Sequence, residues 1–148
     1  VIVDATAQTS QEHISAIGDM TQRPVLGLTT TLRLESVPSA LEQAKQVALR
    51  LAGKAAPAPE VPWFWSDQYD RKIQVAGLIQ NSEKAVVYQD PDSGGFSVLH
   101  FAKSCLVAVE CVQAPRHFMM ARKAIAQAKP IDLNLFNSAE TPLASVLQ

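Results

Sequence analysis

The stretch Val61-Pro62-Trp63-Phe64-Trp65-Ser66-Asp67-Gln68-Tyr69-Asp70 holds both tryptophans and one of the two tyrosines of a chain that is only 6% aromatic. Core-building ordinarily scatters such rings, so three in a row make this stretch a candidate site. Pro62 removes a backbone donor and presets its own dihedral, which suits the entry to an edge or first strand. Alternation along that strand sends Trp63 and Trp65 to one face and Phe64 to the other. Two readings stand at this point: the indoles pack against a neighbouring layer, or one of them lies against a flat ligand.

Downstream, short apolar runs follow one another: Lys72–Ala76, Ala85–Tyr88, Phe96–Phe101 and Cys105–Val112. Asp90-Pro91-Asp92-Ser93-Gly94-Gly95 and Ala102-Lys103-Ser104 supply turns between them, so an antiparallel sheet is predicted. Pro115 opens a helix with apolar Phe118, Met119, Ala121, Ile125 and Ala128, expected to cover one sheet face. Leu133, Leu135, Phe136, Leu143, Val146 and Leu147 suggest two short helical turns at the end.

Upstream, Lys54–Pro62 carries three prolines in nine residues and reads as a semi-rigid linker. Before it, Ser36-Val37-Pro38-Ser39 opens a helix that Gly53 ends. Ala40, Leu41, Ala44, Val47, Ala48 and Leu51 form its expected inner face, and Glu42, Gln43, Lys45, Gln46 and Arg50 its outer face. Val1–Val3 reads as the end of an apolar strand, Asp4–Glu12 as a polar loop, and Ile14–Asp19 as a small-residue strand ending in Gly-Asp. That ending lets a ligand approach the glycine and offers a carboxylate to a polyol, although the same dipeptide also marks ordinary turns.

Composition sets the outer limits. With 148 residues, 47% apolar, 18% charged and a net charge of −1, the chain has the makeup of a folded domain. That charge gives no reason to expect nucleic acid or an anionic membrane as partner. Charged residues interrupt every apolar run before bilayer-spanning length, which predicts a soluble protein. The opening Val1-Ile2-Val3-Asp4 offers no targeting segment and reads as cut from something longer. Cys105 and Cys111 would lie about 20 Å apart on one strand, so free thiols in a reducing cytoplasm are expected. His13, His100 and His117 show no metal-ligand spacing, and no nucleophile motif is present.

Taken in order, H-I-S-A-I-G-D, R-L-E-S-V-P-S-A-L-E-Q-A, V-P-W-F-W-S-D-Q-Y-D, F-S-V and C-V-Q-A-P-R-H-F-M resemble the carboxyl-terminal third of the FAD-dependent NADH:ferredoxin reductases. These serve cytochrome P450 and aromatic-ring dioxygenase systems. The resemblance implies an α+β fold: an antiparallel sheet of four to five strands flanked by helices, preceded by the last strand and helix of a Rossmann-like FAD-binding domain. It divides the chain into residues 1–53, the end of the FAD-binding domain, 54–62, the linker, and 63–148, the reductase carboxyl-terminal domain. It implies that Asp19 contacts the ribityl chain of FAD, that the helix start at Val37 faces the pyrimidine end of the flavin, and that Trp65 lies near the ring. Glu35 becomes a neighbour of the nicotinamide of NADH, and Lys45 and Arg50 become docking charges for an acidic 2Fe-2S ferredoxin.

No G-x-G-x-x-G phosphate loop is present, so the FAD- and NAD-binding domains are expected to be missing partners and the chain alone inactive. The alternative is a non-catalytic α+β module for dimerisation or partner binding, with the aromatic stretch as its contact surface.

Overall fold

The computed structural model describes every residue except 56, 91–92, 135–141 and 148, and the side chain of residue 81. Two compact units emerge, Val1–Pro62 and Trp63–Gln148. In the second, five antiparallel strands form one sheet: β3 (Trp63–Gln68), β4 (Arg71–Gly77), β5 (Lys84–Gln89), β6 (Phe96–Ala102) and β7 (Cys105–Val112), in the order β3-β4-β7-β6-β5. The turns follow the sequence. Tyr69 links β3 to β4 and Lys103 and Ser104 link β6 to β7, all three with positive φ as tight hairpins require. Of the expected β5–β6 turn, residues 91–92 lie outside the described residues.

Register assigns the two faces. Trp63 pairs with Ala76, Trp65 with Gln74, Gln74 with Cys111, Cys111 with Ser97 and Ser97 with Tyr88, so these side chains share one face. The helix α2 (Pro115–Gln127) lies there, its Phe118 ring 5.7 Å from Trp63 and its His117 ring 5.3 Å from Tyr88. Phe64, Val75, Glu110, Val98 and Val87 face the other way. Leu99, Phe101, Val109, Ala121 and Phe118 are buried and form an ordinary apolar core. The close approach of β4 to β7 explains Gly77: it has φ +80°, and a side-chain carbon there would sit 2.1 Å from the Val107 carbonyl oxygen.

Two helix expectations are corrected within this unit. Met119 is exposed, and Ala128 is not part of the buried stripe but the left-handed cap after α2; Ala124 and His117 are buried instead. At the end of the chain one short helix is described, α3 (Leu143–Val146), while Leu135 and Phe136 lie outside the described residues.

The first unit contains the two-residue strands β1 (Arg23–Pro24) and β2 (Thr31–Leu32) and one long helix, α1 (Val37–Leu51). Ile14–Asp19 is not a paired strand: Ser15 bridges Gln8 once, Ile17 is extended, and Gly18–Met20 turns as a 3-10 helix. Val1–Val3 likewise has only the single parallel bridge Ile2 to Gln22. Loop Asp4–Ile14 is ordered by side chains: the Gln8 amide donates to the Gln11, Glu12 and Ile14 carbonyls, and Asp4 accepts from Thr6 and Gln8. The end of the proline-rich stretch is tied back, the Glu60 amide donating to Glu42 at 3.1 Å.

The largest departure from expectation is the orientation of α1. Ser39, Gln43 and Gln46 are its buried residues, whereas Leu41 is 65% and Leu51 78% exposed. Periodicity found the helix but not its inward stripe: Leu41, Ala48 and Leu51 of the expected inner face are exposed together with Lys45, while Gln43 and Gln46 of the expected outer face are buried. Hydrogen bonds that Gln43 Oε1 accepts from the Gly18 amide and from Thr21, and the ion pair between Arg23 and Glu42, hold the polar side in.

Candidate functional site

Asp19 follows Gly18, whose φ of +76° is a conformation few residues other than glycine adopt. Its carboxylate is exposed and has no hydrogen bond or ion pair among the described residues. The turn rests on α1, since a side-chain carbon on Gly18 would lie 3.9 Å from Ala40 Cβ. At the start of α1, Ser36 caps the helix: its side chain accepts from the Ser39 amide and its carbonyl from the Ala40 amide. Pro38 has no N–H, so the Val37 amide remains as the open donor of the first turn. Ser39 Oγ is buried there without a hydrogen-bond partner, a feature the sequence reading missed because its inner face was assigned to alanine and leucine. The fold thus packs the turn that carries Asp19 against α1, the helix that Val37 begins.

The other upstream candidates have different settings. Glu35 is exposed and pairs with Arg33 at 2.8 Å. Lys45 is exposed, while the Arg50 guanidinium donates to Gln8 and Ser15 and so ties α1 to the Asp4–Ile14 loop.

In the second unit, Trp63 and Trp65 share a face with ring centroids 5.6 Å apart. Trp63 is enclosed by Phe118 and by the Arg122 guanidinium, 5.1 Å above its ring. Trp65 is 40% exposed. Packing therefore claims one indole and leaves the other with an open surface. Asp67 and Asp70 pair with Lys72 and Arg71 at 3.7 and 3.6 Å at the β3–β4 turn.

The sheet also assembles two histidine clusters that sequence spacing did not reveal. On the α2 face, His117 Nδ1 lies 3.0 Å from Ser97 Oγ, its Nε2 lies 3.9 Å from Asp90, and Ser97 lies 3.3 Å from Cys111 Sγ. Burial pushes the Cys111 thiol up to about 11, a hydrogen bond with Ser97 opposing it. On the opposite face, His100 Nε2 is 2.9 Å from Glu110 and its Nδ1 3.3 Å from Ser82 Oγ. Ser97 is fully buried, so the first cluster braces the β5–β6 hairpin against α2 and offers no nucleophile to a substrate. Among the described residues, no group of three or more His, Cys, Asp or Glu is placed to hold a metal ion.

A five-stranded antiparallel sheet with one covering helix and an aromatic first strand defines an α+β domain. The reductase C-terminal family matches residues 63–147, and the chain belongs to that family. It is 45% identical over 126 residues to the probable ferredoxin reductase CtmF of Castellaniella defragrans, covering 84% of this chain and 31% of that protein. Rhodocoxin reductase of Rhodococcus erythropolis is 43% identical over 131 residues, covering 88% and 31%. The structure of a covalent putidaredoxin reductase–putidaredoxin complex superposes with a TM-score of 0.87 at 32% identity, covering 97% of this chain and 34% of that one. The chain spans about a third of the length of the curated relatives it matches.

Proposed function

We propose that the chain is the carboxyl-terminal part of a cytoplasmic flavoprotein that passes electrons from NADH through FAD to a 2Fe-2S ferredoxin serving a P450 or dioxygenase. Residues 1–53 then close the FAD-binding domain, 54–62 link, and 63–148 form the reductase carboxyl-terminal domain. The observation that carries this reading is the unpartnered Asp19 carboxylate on a turn packed against a helix start with a single open amide, Val37. The relatives named ferredoxin and rhodocoxin reductases support it, and so does a first unit whose Leu41, Leu51, Ile14 and Met20 stand exposed, as on one wall of a larger domain.

The residues present fit FAD. Asp19 accepts hydrogen bonds from polyol hydroxyls, and the Val37 amide with the dipole of α1 stabilises negative charge at an electron-rich ring edge. The open face of Trp65 shields a flat ring from water, and Glu35 lies beside the nicotinamide. Lys45 and Arg50 contribute positive charge toward an acidic ferredoxin, Arg50 while engaged by Gln8 and Ser15. FAD, when bound, supplies the exchange between hydride and single electrons, and the chain's own groups bind and orient it. Among the described residues, no helix is long and apolar enough to cross a membrane.

The test is spectroscopic. A full-length protein carrying this segment is expected to be yellow and to bleach on adding NADH, whereas the isolated chain binds FAD weakly. A longer chain with no flavin absorbance and no NADH oxidation would leave the second reading, an association module. Phe64, Val87 and Phe96, exposed on the sheet face away from α2, favour that alternative.

A further inference from the structure

Gln43 is one of the largest fully buried side chains and the most deeply buried residue of α1, at 1% exposure. A buried carboxamide is unfavourable unless its hydrogen bonds are made, and here they converge on one place. Its Oε1 accepts from the Gly18 amide at 2.7 Å, and its Nε2 donates to Thr21 Oγ1 at 2.9 Å. Thr21 Oγ1 in turn donates to the Gly18 carbonyl at 2.8 Å, and the Thr21 amide donates to the same carbonyl at 3.0 Å. The loop of bonds encloses the Gly18–Met20 turn from both ends. Asp19, between them, contributes nothing to it and projects into solvent.

We infer that Gln43 is a positioning residue: it fixes the Asp19 carboxylate relative to the start of α1, so that the two contact a bound flavin nucleotide together. This rests on the proposed role of Asp19 and Val37. The turn has no strand ladder to hold it and Gly18 alone leaves it soft, so the carboxamide is the element that sets its geometry. An apolar residue of the same size would fill the space, leave the Gly18 amide without its acceptor and leave Thr21 Oγ1 with only its bond to the Gly18 carbonyl.

The test uses the full-length flavoprotein containing this segment and reads FAD affinity by flavin fluorescence, with far-UV circular dichroism to confirm folding. Gln43→Leu is expected to weaken FAD binding about tenfold, the size of one lost buried hydrogen bond. Gln43→Glu keeps the acceptor for Gly18 and is expected to recover most of that loss. In an Asp19→Asn background, Gln43→Leu should cost little more, because its effect runs through Asp19. Additive losses in this cycle, or unchanged affinity in a folded Gln43→Leu protein, would overturn the inference. Should Gln43→Leu not fold, Thr21→Val gives the same decision, with several-fold weaker binding expected and wild-type affinity counting against it. A wild-type protein that holds no FAD refutes the functional reading itself, and the role of Gln43 falls with it.

Discussion

In Trp63–Gln148 most of the deepest side chains are apolar, Leu99, Phe101, Val109 and Ala121 with Ser97 among them, whereas in Val1–Pro62 Thr21, Ser39, Gln43 and Gln46 are buried beside Val3, Ala7, Val25 and Val61. The second unit removes apolar surface from water in the usual way, and its polar groups form a few satisfied clusters around histidines. The first is organised by directional bonds, with much of its aliphatic surface outward. What separates them is the balance of stabilising terms: one unit carries a large hydrophobic core, and the other has a small one, Val3, Ala7, Val25 and Val61, beside its hydrogen-bonded geometry.

The comparison is broken most directly by cutting at Pro62/Trp63. Residues 63–148 are expected to unfold cooperatively in urea, followed by the fluorescence of Trp63 and Trp65, and residues 1–62 to show little persistent structure by circular dichroism and amide exchange. A cooperative 1–62 would sink the contrast. Next in size is a matched pair of truncations. Phe101→Ala should destabilise by about 3–5 kcal/mol, while Leu41→Ala, an exposed position on α1, should change stability by less than about 0.5 kcal/mol.

Titration sharpens the same contrast from opposite ends of the pH scale. Cys111 has its folded value raised to about 11, so its contribution is complete below the ordinary thiol range and is lost as pH climbs through that value. Denaturant midpoints should fall in that window, and Cys111→Ala should flatten the decline. Asp4 behaves in reverse. Burial raises its carboxyl, but hydrogen bonds from the Gln8 amide and from Thr6, with the Arg50 charge, outweigh this and leave it lowered. Its contribution is present above the ordinary carboxylate value and fades as pH drops through the folded one, which Asp4→Asn should abolish. Smallest is Arg122→Met, expected to cost about 0.5–1 kcal/mol through the lost cation–π contact and to shift Trp63 emission, with Trp65 still accessible to acrylamide.

The second unit was legible because its signals are local. Period-two alternation in Trp63–Trp65, the short apolar run Cys105–Val112, and turn residues such as Lys103 and Ser104 specify strands and hairpins wherever the neighbours lie. The resemblance carried by the Trp63–Asp70 stretch agrees with the family to which the chain belongs. Ile14–Asp19 was misread because its apolar spacing suits a strand, yet a strand needs a ladder and the turn at Gly18 is closed by Gln43, 25 residues away. The histidine clusters were hidden for a related reason: Asp90, Ser97 and His117 come from separate elements, and only pairing and helix docking bring them together.

By itself, then, the order of residues determined the strands and hairpins of the second unit and the existence of both long helices, because those choices depend on backbone sterics and on neighbours a few positions away. Only the tertiary structure decided which side of α1 faces inward, which of two adjacent indoles stays open, and which carboxylates remain unpaired. Those outcomes depend on distant groups competing for the same hydrogen bonds and the same buried space, and periodicity carries no record of who wins.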